Sequence, residues 1–192
     1  MSGILWFLVI LVILAIVIGL YAVSLYNGFA RDRNMIQESW RQIDVELNRR
    51  YDLIPNLVET AKGYMKHERE TLEAVIAARN AASTARAAVA ANPGDASAVQ
   101  GLNSAEAGLT QVMSRFTMLQ EAYPDLKANT NMMQLSEELA STENRLGFAR
   151  QAYNDQVLEF NDEATQFPAL LVARLLGFAA APMLEATRSA QE

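Results

Sequence analysis

The chain has 192 residues, with 22 acidic and 16 basic side chains and a net charge of −6. It contains no cysteine and a single histidine, His67. Disulfides, thiol nucleophiles, Cys-ligated metals and a poly-His metal site within one chain are therefore excluded.

Residues 4–26 hold 21 apolar side chains out of 23, interrupted only by Gly19 and Ser24, and carry no charge. At about 1.5 Å per helical residue this stretch covers the roughly 30 Å of a bilayer's hydrocarbon core. Trp6 stands near one end and Tyr21 and Tyr26 near the other, where amphipathic rings favour the membrane interface. Ala15, Gly19 and Ala22 share one helical face and form a stripe of small residues suited to helix packing in the membrane. The competing reading is a cleaved signal peptide. The residues before the run lack a basic side chain, and the run is longer than such a peptide's apolar core, so an uncleaved anchor is expected. Arg31, Arg33, Arg41, Arg49 and Arg50 all follow the span. That bias predicts a single pass with the N-terminus outside and the domain in the cytoplasm.

Beyond Asn27, apolar residues recur at alternating steps of three and four, and nowhere with the period of two that a half-buried strand needs. The first seam is Ile36, Trp40, Ile43, Leu47 and Ile54, with Arg50 between the last two. The first soluble helix is expected to run straight on from the span, with Gly28 its one weak point. Pro55 is read as the first turn of a second helix, whose seam is Leu57, Ala61, Tyr64, Glu68, Leu72, Val75 and Ala82. Asn92-Pro93-Gly94-Asp95 makes a tight reversal. A third seam follows through Val99, Leu102, Ala105, Leu109, Val112, Phe116, Leu119 and Tyr123. Pro124 ends it, and a fourth runs from Leu135 through Leu139, Thr142, Leu146, Ala149, Tyr153, Val157, Phe160 and Ala164 to Phe167-Pro168.

The predicted architecture is all-α: an N-terminal transmembrane helix followed by an elongated antiparallel four-helix bundle of coiled-coil character. Residues 1–26 form the anchor, 27–167 the bundle and 168–192 an apolar tail. The tail can lie on a membrane, join a neighbouring subunit or pack on the bundle, and packing on protein is expected because Arg174 is its one charge before Gly177. The ten alanines between Ala74 and Ala91 read as a strong helix former.

Chemistry is sparse. A di-metal bundle site needs two Glu-x-x-His motifs, and His67 is preceded three positions earlier by Tyr64. No catalytic, cofactor or metal residues are assigned, and no enzyme is expected. Residues 27–79 balance nine basic against nine acidic side chains, and residues 80–192 carry seven against thirteen, so no nucleic-acid partner is expected. The sharpest polar feature is Arg49 or Arg50 pairing with Glu143 inside the bundle, which would fix the alignment of its first and fourth helices.

The string Asp44-Val45-Glu46-Leu47-Asn48-Arg49-Arg50-Tyr51-Asp52-Leu53-Ile54-Pro55-Asn56-Leu57-Val58-Glu59-Thr60 resembles the signature of the LemA family. Tyr123-Pro124-Asp125-Leu126-Lys127-Ala128-Asn129, Thr142-Glu143-Asn144-Arg145, Tyr153-Asn154-Asp155, Phe167-Pro168 and Gly177-Phe178 resemble its later motifs, in order. Leu176 departs from the usual Phe before Gly-Phe. The resemblance implies a bacterial protein with one membrane helix, a helical bundle inside and no accepted active site. It also implies HtpX-type membrane peptidases and TPM-domain proteins as candidate partners. The function expected is a non-enzymatic membrane-anchored scaffold that self-associates as a homo-oligomer and contacts membrane lipid. The alternative is an adaptor that binds a membrane peptidase or receptor through the distal bundle end.

Overall fold

A helix apolar on every side and a helix apolar along one stripe call for different surroundings, and this chain joins the two without a break. In the computed structural model, which describes residues 2–185, α1 runs from Ser2 to Lys62. It is followed by α2 (Arg69–Ala91), α3 (Ala96–Gln120), the short α4 (Pro124–Lys127), α5 (Thr130–Thr165) and α6 (Ala169–Leu176). Among the described residues every regular element is α-helical. Residues 186–192 of the predicted tail lie outside them.

Pro55 does not begin a helix. It lies inside α1, where its missing N–H deprives the carbonyl of Tyr51, four residues back, of its helical donor. Arg79 of α2 supplies the replacement: its Nε donates to the Tyr51 carbonyl at 2.8 Å. The chain leaves α1 eight residues later, in a turn over 63–68, where the Tyr64 and Met65 N–H groups donate back to the Ala61 carbonyl. This turn shifts the expected second seam. Tyr64 is exposed, and its neighbour Met65 is wholly buried in its stead.

The reversal at Asn92–Asp95 stands where the Pro-Gly pair puts it. Asp95 caps α3, accepting from the Ser97 and Ala98 N–H groups at 2.8 and 3.3 Å and from the Ser97 hydroxyl at 2.7 Å. These bonds hold its carboxyl below the usual carboxylate range, the Ser97 hydroxyl contributing most. A cap of this kind satisfies N–H groups that the first turn of a helix otherwise leaves without a partner. α2 packs along α3 through a stripe in which Val75, Ala82 and Val89 are buried at steps of seven, the period of a helix–helix seam.

The chain divides into two compact units. One comprises Met1–Ile36 with Gln156–Ala181, and the other Gln37–Asp155 with Pro182–Glu192. The first is built on aromatic rings. Phe29 meets Phe160 edge-on at 6.0 Å and Phe178 at 5.2 Å, while Phe178 reaches Tyr26 at 5.9 Å. Gly177 takes a left-handed φ of 74°, which ends α6 and lets the Phe178 N–H donate to the Ala173 carbonyl at 2.9 Å. Asn161 then fixes the chain beyond: its side-chain amide donates to the Ala181 carbonyl and accepts from the Ala181 N–H.

In the second unit Trp40, Ile43, Leu47, Ile54 and Leu57 form the buried stripe of α1. The Trp40 ring lies edge-on to Tyr153 of α5 at 6.4 Å. Asn154 grips Leu184 as Asn161 grips Ala181, with bonds of 2.8 and 2.9 Å. The Tyr153 hydroxyl donates to the Pro182 carbonyl, and burial pushes that phenol up to about 12. Leu184 is buried beneath these bonds.

Candidate functional site

Two features of the second unit have enough chemistry to be a site: a closed network of buried charges and an open groove. The network starts at Arg50, on the buried side of α1. Its Nη1 donates to Glu106 Oε2 of α3 at 2.6 Å, and its Nε lies 2.7 Å from Glu143 Oε1 of α5. The second contact lies off the N–H direction, so it is an ion contact and not a hydrogen bond. Arg150 of α5 donates from Nη2 to the same Glu106 Oε2 at 2.8 Å, and the Tyr51 hydroxyl donates to Oε1 at 2.6 Å. Arg50, Tyr51, Glu106 and Arg150 are all buried. Burial, and then the charge of Glu106, push the Tyr51 phenol far above its ordinary range.

Two donors on Oε2 and one on Oε1 take up most of the acceptor capacity of the buried Glu106 carboxylate. The network ties α1, α3 and α5 together, and the desolvation of its buried polar groups offsets much of their attraction.

Of the three residues read from the sequence as a polar pair, Arg50 and Glu143 meet, and Arg49 is exposed. Glu106 and Arg150 were missed. Both replace an alanine of the expected seams: the buried stripe of α3 runs Leu102, Glu106, Leu109, and that of α5 runs Leu146, Arg150, Tyr153. The usable signal was a lone acid and a lone base, each at a core step between two apolar residues.

The groove lies where α1 ends and α2 begins and has a volume of about 690 Å³. Val58, Met65, Leu72 and Ile76 form its floor, and Lys62, Lys66 and Arg69 stand around it with Glu73. Lys62 pairs with Glu59 and Arg69 with Glu73, both at 2.6 Å. His67, in the adjoining turn, is exposed and does not line the groove. Such a lining suits apolar anchors flanked by carboxylates, the chemistry of a partner helix or peptide.

The residues expected at a membrane belong to the first unit. Trp6, Tyr21 and Tyr26 are exposed, as are Ala15 and Gly19, whereas Ala22 is half-buried. Every large apolar side chain from Ile4 to Leu20 is at least 41% exposed, the least exposed being Val9. This stretch is long and apolar enough to cross a membrane. Just beyond it, burial and then the neighbouring Asp32 raise the Glu163 carboxyl above the usual carboxylate range.

A search of curated proteins finds no significant match. Residues 39–192 match the LemA family, a stretch that takes in the charge network, the groove and both asparagine grips. The chain belongs to the LemA family.

Proposed function

We propose that this chain is a non-enzymatic, single-pass scaffold of the bacterial inner membrane that self-associates, its N-terminus outside and its helical domain in the cytoplasm. The observation that supports this reading is α1 itself. One unbroken helix carries an apolar, uncovered stretch over its first twenty-odd residues and a domain's buried stripe over its last twenty-odd. In the domain, α1, α2, α3 and α5 act as the members of an antiparallel four-helix bundle. Arg31, Arg33 and Arg41 supply the cytoplasmic charge bias. Arg50 does not count toward it, because it is spent inside the network. Ala15, Gly19 and Ala22 give the span a face on which copies pack.

The test is the mass of the detergent-extracted particle over a concentration series, by light scattering. Discrete multimers support the scaffold, and a monomer at every concentration ends it. Sidedness is read separately, by the protection of the domain from protease in spheroplasts.

The groove at the α1–α2 turn favours a second reading, an adaptor that holds a membrane peptidase of the HtpX type, a TPM-domain protein or a receptor at the distal bundle end. A photocrosslinker at Ile76 then captures one dominant partner in cells, and a smear of neighbours removes this reading.

A further inference from the structure

α6 has the sequence Ala-Leu-Leu-Val-Ala-Arg-Leu-Leu, too apolar to face water on all sides and too short to be stable alone. Its fold holds one face on protein. Ala173 is buried, and Phe178, just after the glycine cap, seats its ring on Tyr26, Phe29 and Phe160. The other face is bare. Leu171 and Leu175, a step of four apart on the helix, are 59% and 85% exposed, and Phe167, in the turn just before α6, is 80% exposed. Side chains four apart on a helix line one stripe, and a bare apolar stripe of this kind marks a contact surface.

Several observations within this unit point to lipid as what covers it. Tyr26, one of the two residues beneath the Phe178 ring on α1, is the last of the apolar stretch. Cover on α1 also begins at that end: residues 4–21 are exposed, and Ala22 and Leu25 are the first to be half-buried. α6 is therefore anchored where the span leaves the hydrocarbon. Arg174 on α6 and Arg33 on α1 are exposed in the same unit, beside Arg31, which pairs with Asp32 at 3.3 Å, and cations at that level suit anionic headgroups.

We infer that α6 lies in the boundary between headgroups and acyl chains, with Phe167, Leu171 and Leu175 turned into the acyl region, as a second lipid contact beside the span. The partner is the bilayer surface, preferably one with anionic lipid. This inference rests on the reading of residues 4–26 as a membrane anchor. Free amphipathic helices at an interface need a longer basic face. Here the tertiary contacts of Phe178 and Ala173 hold the helix in place, and a single arginine suffices.

The chain has no native cysteine, so single labels can be placed at will. An environment-sensitive nitrobenzoxadiazole label is attached to Leu175→Cys, and in a separate protein to Phe167→Cys. Ile16→Cys serves as the control inside the span, and Met118→Cys as an exposed apolar control in the other unit. Each full-length protein is reconstituted at one copy per phosphatidylcholine–phosphatidylglycerol nanodisc, with and without spin-labelled lipid. The expected result is a blue-shifted emission at Leu175 and Phe167, quenched by spin-labelled lipid several-fold more than at Met118. Quenching at Ile16 with Leu175 and Phe167 no different from Met118 overturns the inference and leaves the anchor standing. A blue shift at Leu175 that spin-labelled lipid does not quench, and that appears only with several copies per disc, means a second copy covers the stripe and also overturns it. An unquenched Ile16 removes the anchor, and the inference with it.

Discussion

The two ends of α1 solve opposite problems with the same backbone. From Ile4 to Leu20 its apolar side chains point in every direction, and none of them is buried. From Gln37 to Lys62 the large apolar side chains, Val45 apart, are buried almost completely, with Ile43, Leu47 and Ile54 at 0% exposure. Mean hydropathy says which end prefers a non-aqueous medium. The period of the pattern says whether lipid or protein is the medium. The second end also accepts what the first never does: an arginine on the buried face, matched by charges from two other helices.

The sharpest way to break this comparison is to remove the match. Glu106→Ala leaves Arg50 and Arg150 buried without their shared partner, and about 3–5 kcal/mol of domain stability should be lost. Denaturant melts of the full chain in detergent give that number. Replacing Arg50, Glu106 and Arg150 together by Met, Leu and Met should recover most of it, because the one charge then left unpaired, Glu143, is partly exposed to water. If the triple variant is as unstable as the single one, the network is a source of stability and not a register device.

Next in size is the same substitution made at each end. Leu47→Ala opens a cavity in a packed core and should cost about 2–5 kcal/mol. Leu14→Ala, in the uncovered stretch, should leave the domain's melt unchanged. An equal effect at both positions would mean the two ends belong to one folding unit.

A smaller effect tests how α1 tolerates Pro55. Arg79→Ala strands the Tyr51 carbonyl and should cost about 1–3 kcal/mol. In a Pro55→Ala background the helix supplies its own donor, so the same Arg79 change should cost clearly less, and a double-mutant cycle measures the difference. Strict additivity would show that Arg79 acts through another contact, its bond to Asn80 at 3.2 Å or its ion pair with Asp52 at 3.7 Å.

The smallest expected effect is on pH. Glu163 titrates above its unfolded value, raised by burial and by Asp32. A carboxyl raised in the folded state contributes stability that is fully present below its unfolded pKa and is lost as pH rises through the folded one. The first unit should therefore tighten slightly on mild acidification, seen as slower amide exchange around Phe29 and Phe160. Asp32→Asn should flatten that dependence.

Much of this was legible in the residues. The long apolar helical stretch at residues 4–26, the Asn92–Asp95 reversal, the break at Pro124 and the end at Phe167-Pro168 are local features, and local features survive into the structure. The misreadings came where tertiary contacts outweighed a local rule. Pro55 reads as a helix start because proline lacks an N–H, and only a side chain 24 residues away, Arg79, makes it tolerable inside a helix. Ala105 and Ala149 read as core because alanine is apolar, yet Glu106 and Arg150 beside them are the buried residues. A charge is admitted to a core only when its counter-charge arrives from another helix, and no single helix records that.

The sequence by itself determined that the chain is helical, that residues 4–26 are unlike the rest, and where most helices stop, because these follow from period, length and the φ limits of proline and glycine. It also carried the family motifs. Tertiary structure alone decided which side of each helix is inside by one residue or another, what Glu106 holds together, and that asparagines 154 and 161 grip the backbone of the tail. It decided, too, that α6 keeps one face on protein and the other bare. Those outcomes depend on pairs of groups far apart in the chain, whose mutual desolvation and hydrogen bonding exist only once the helices have met.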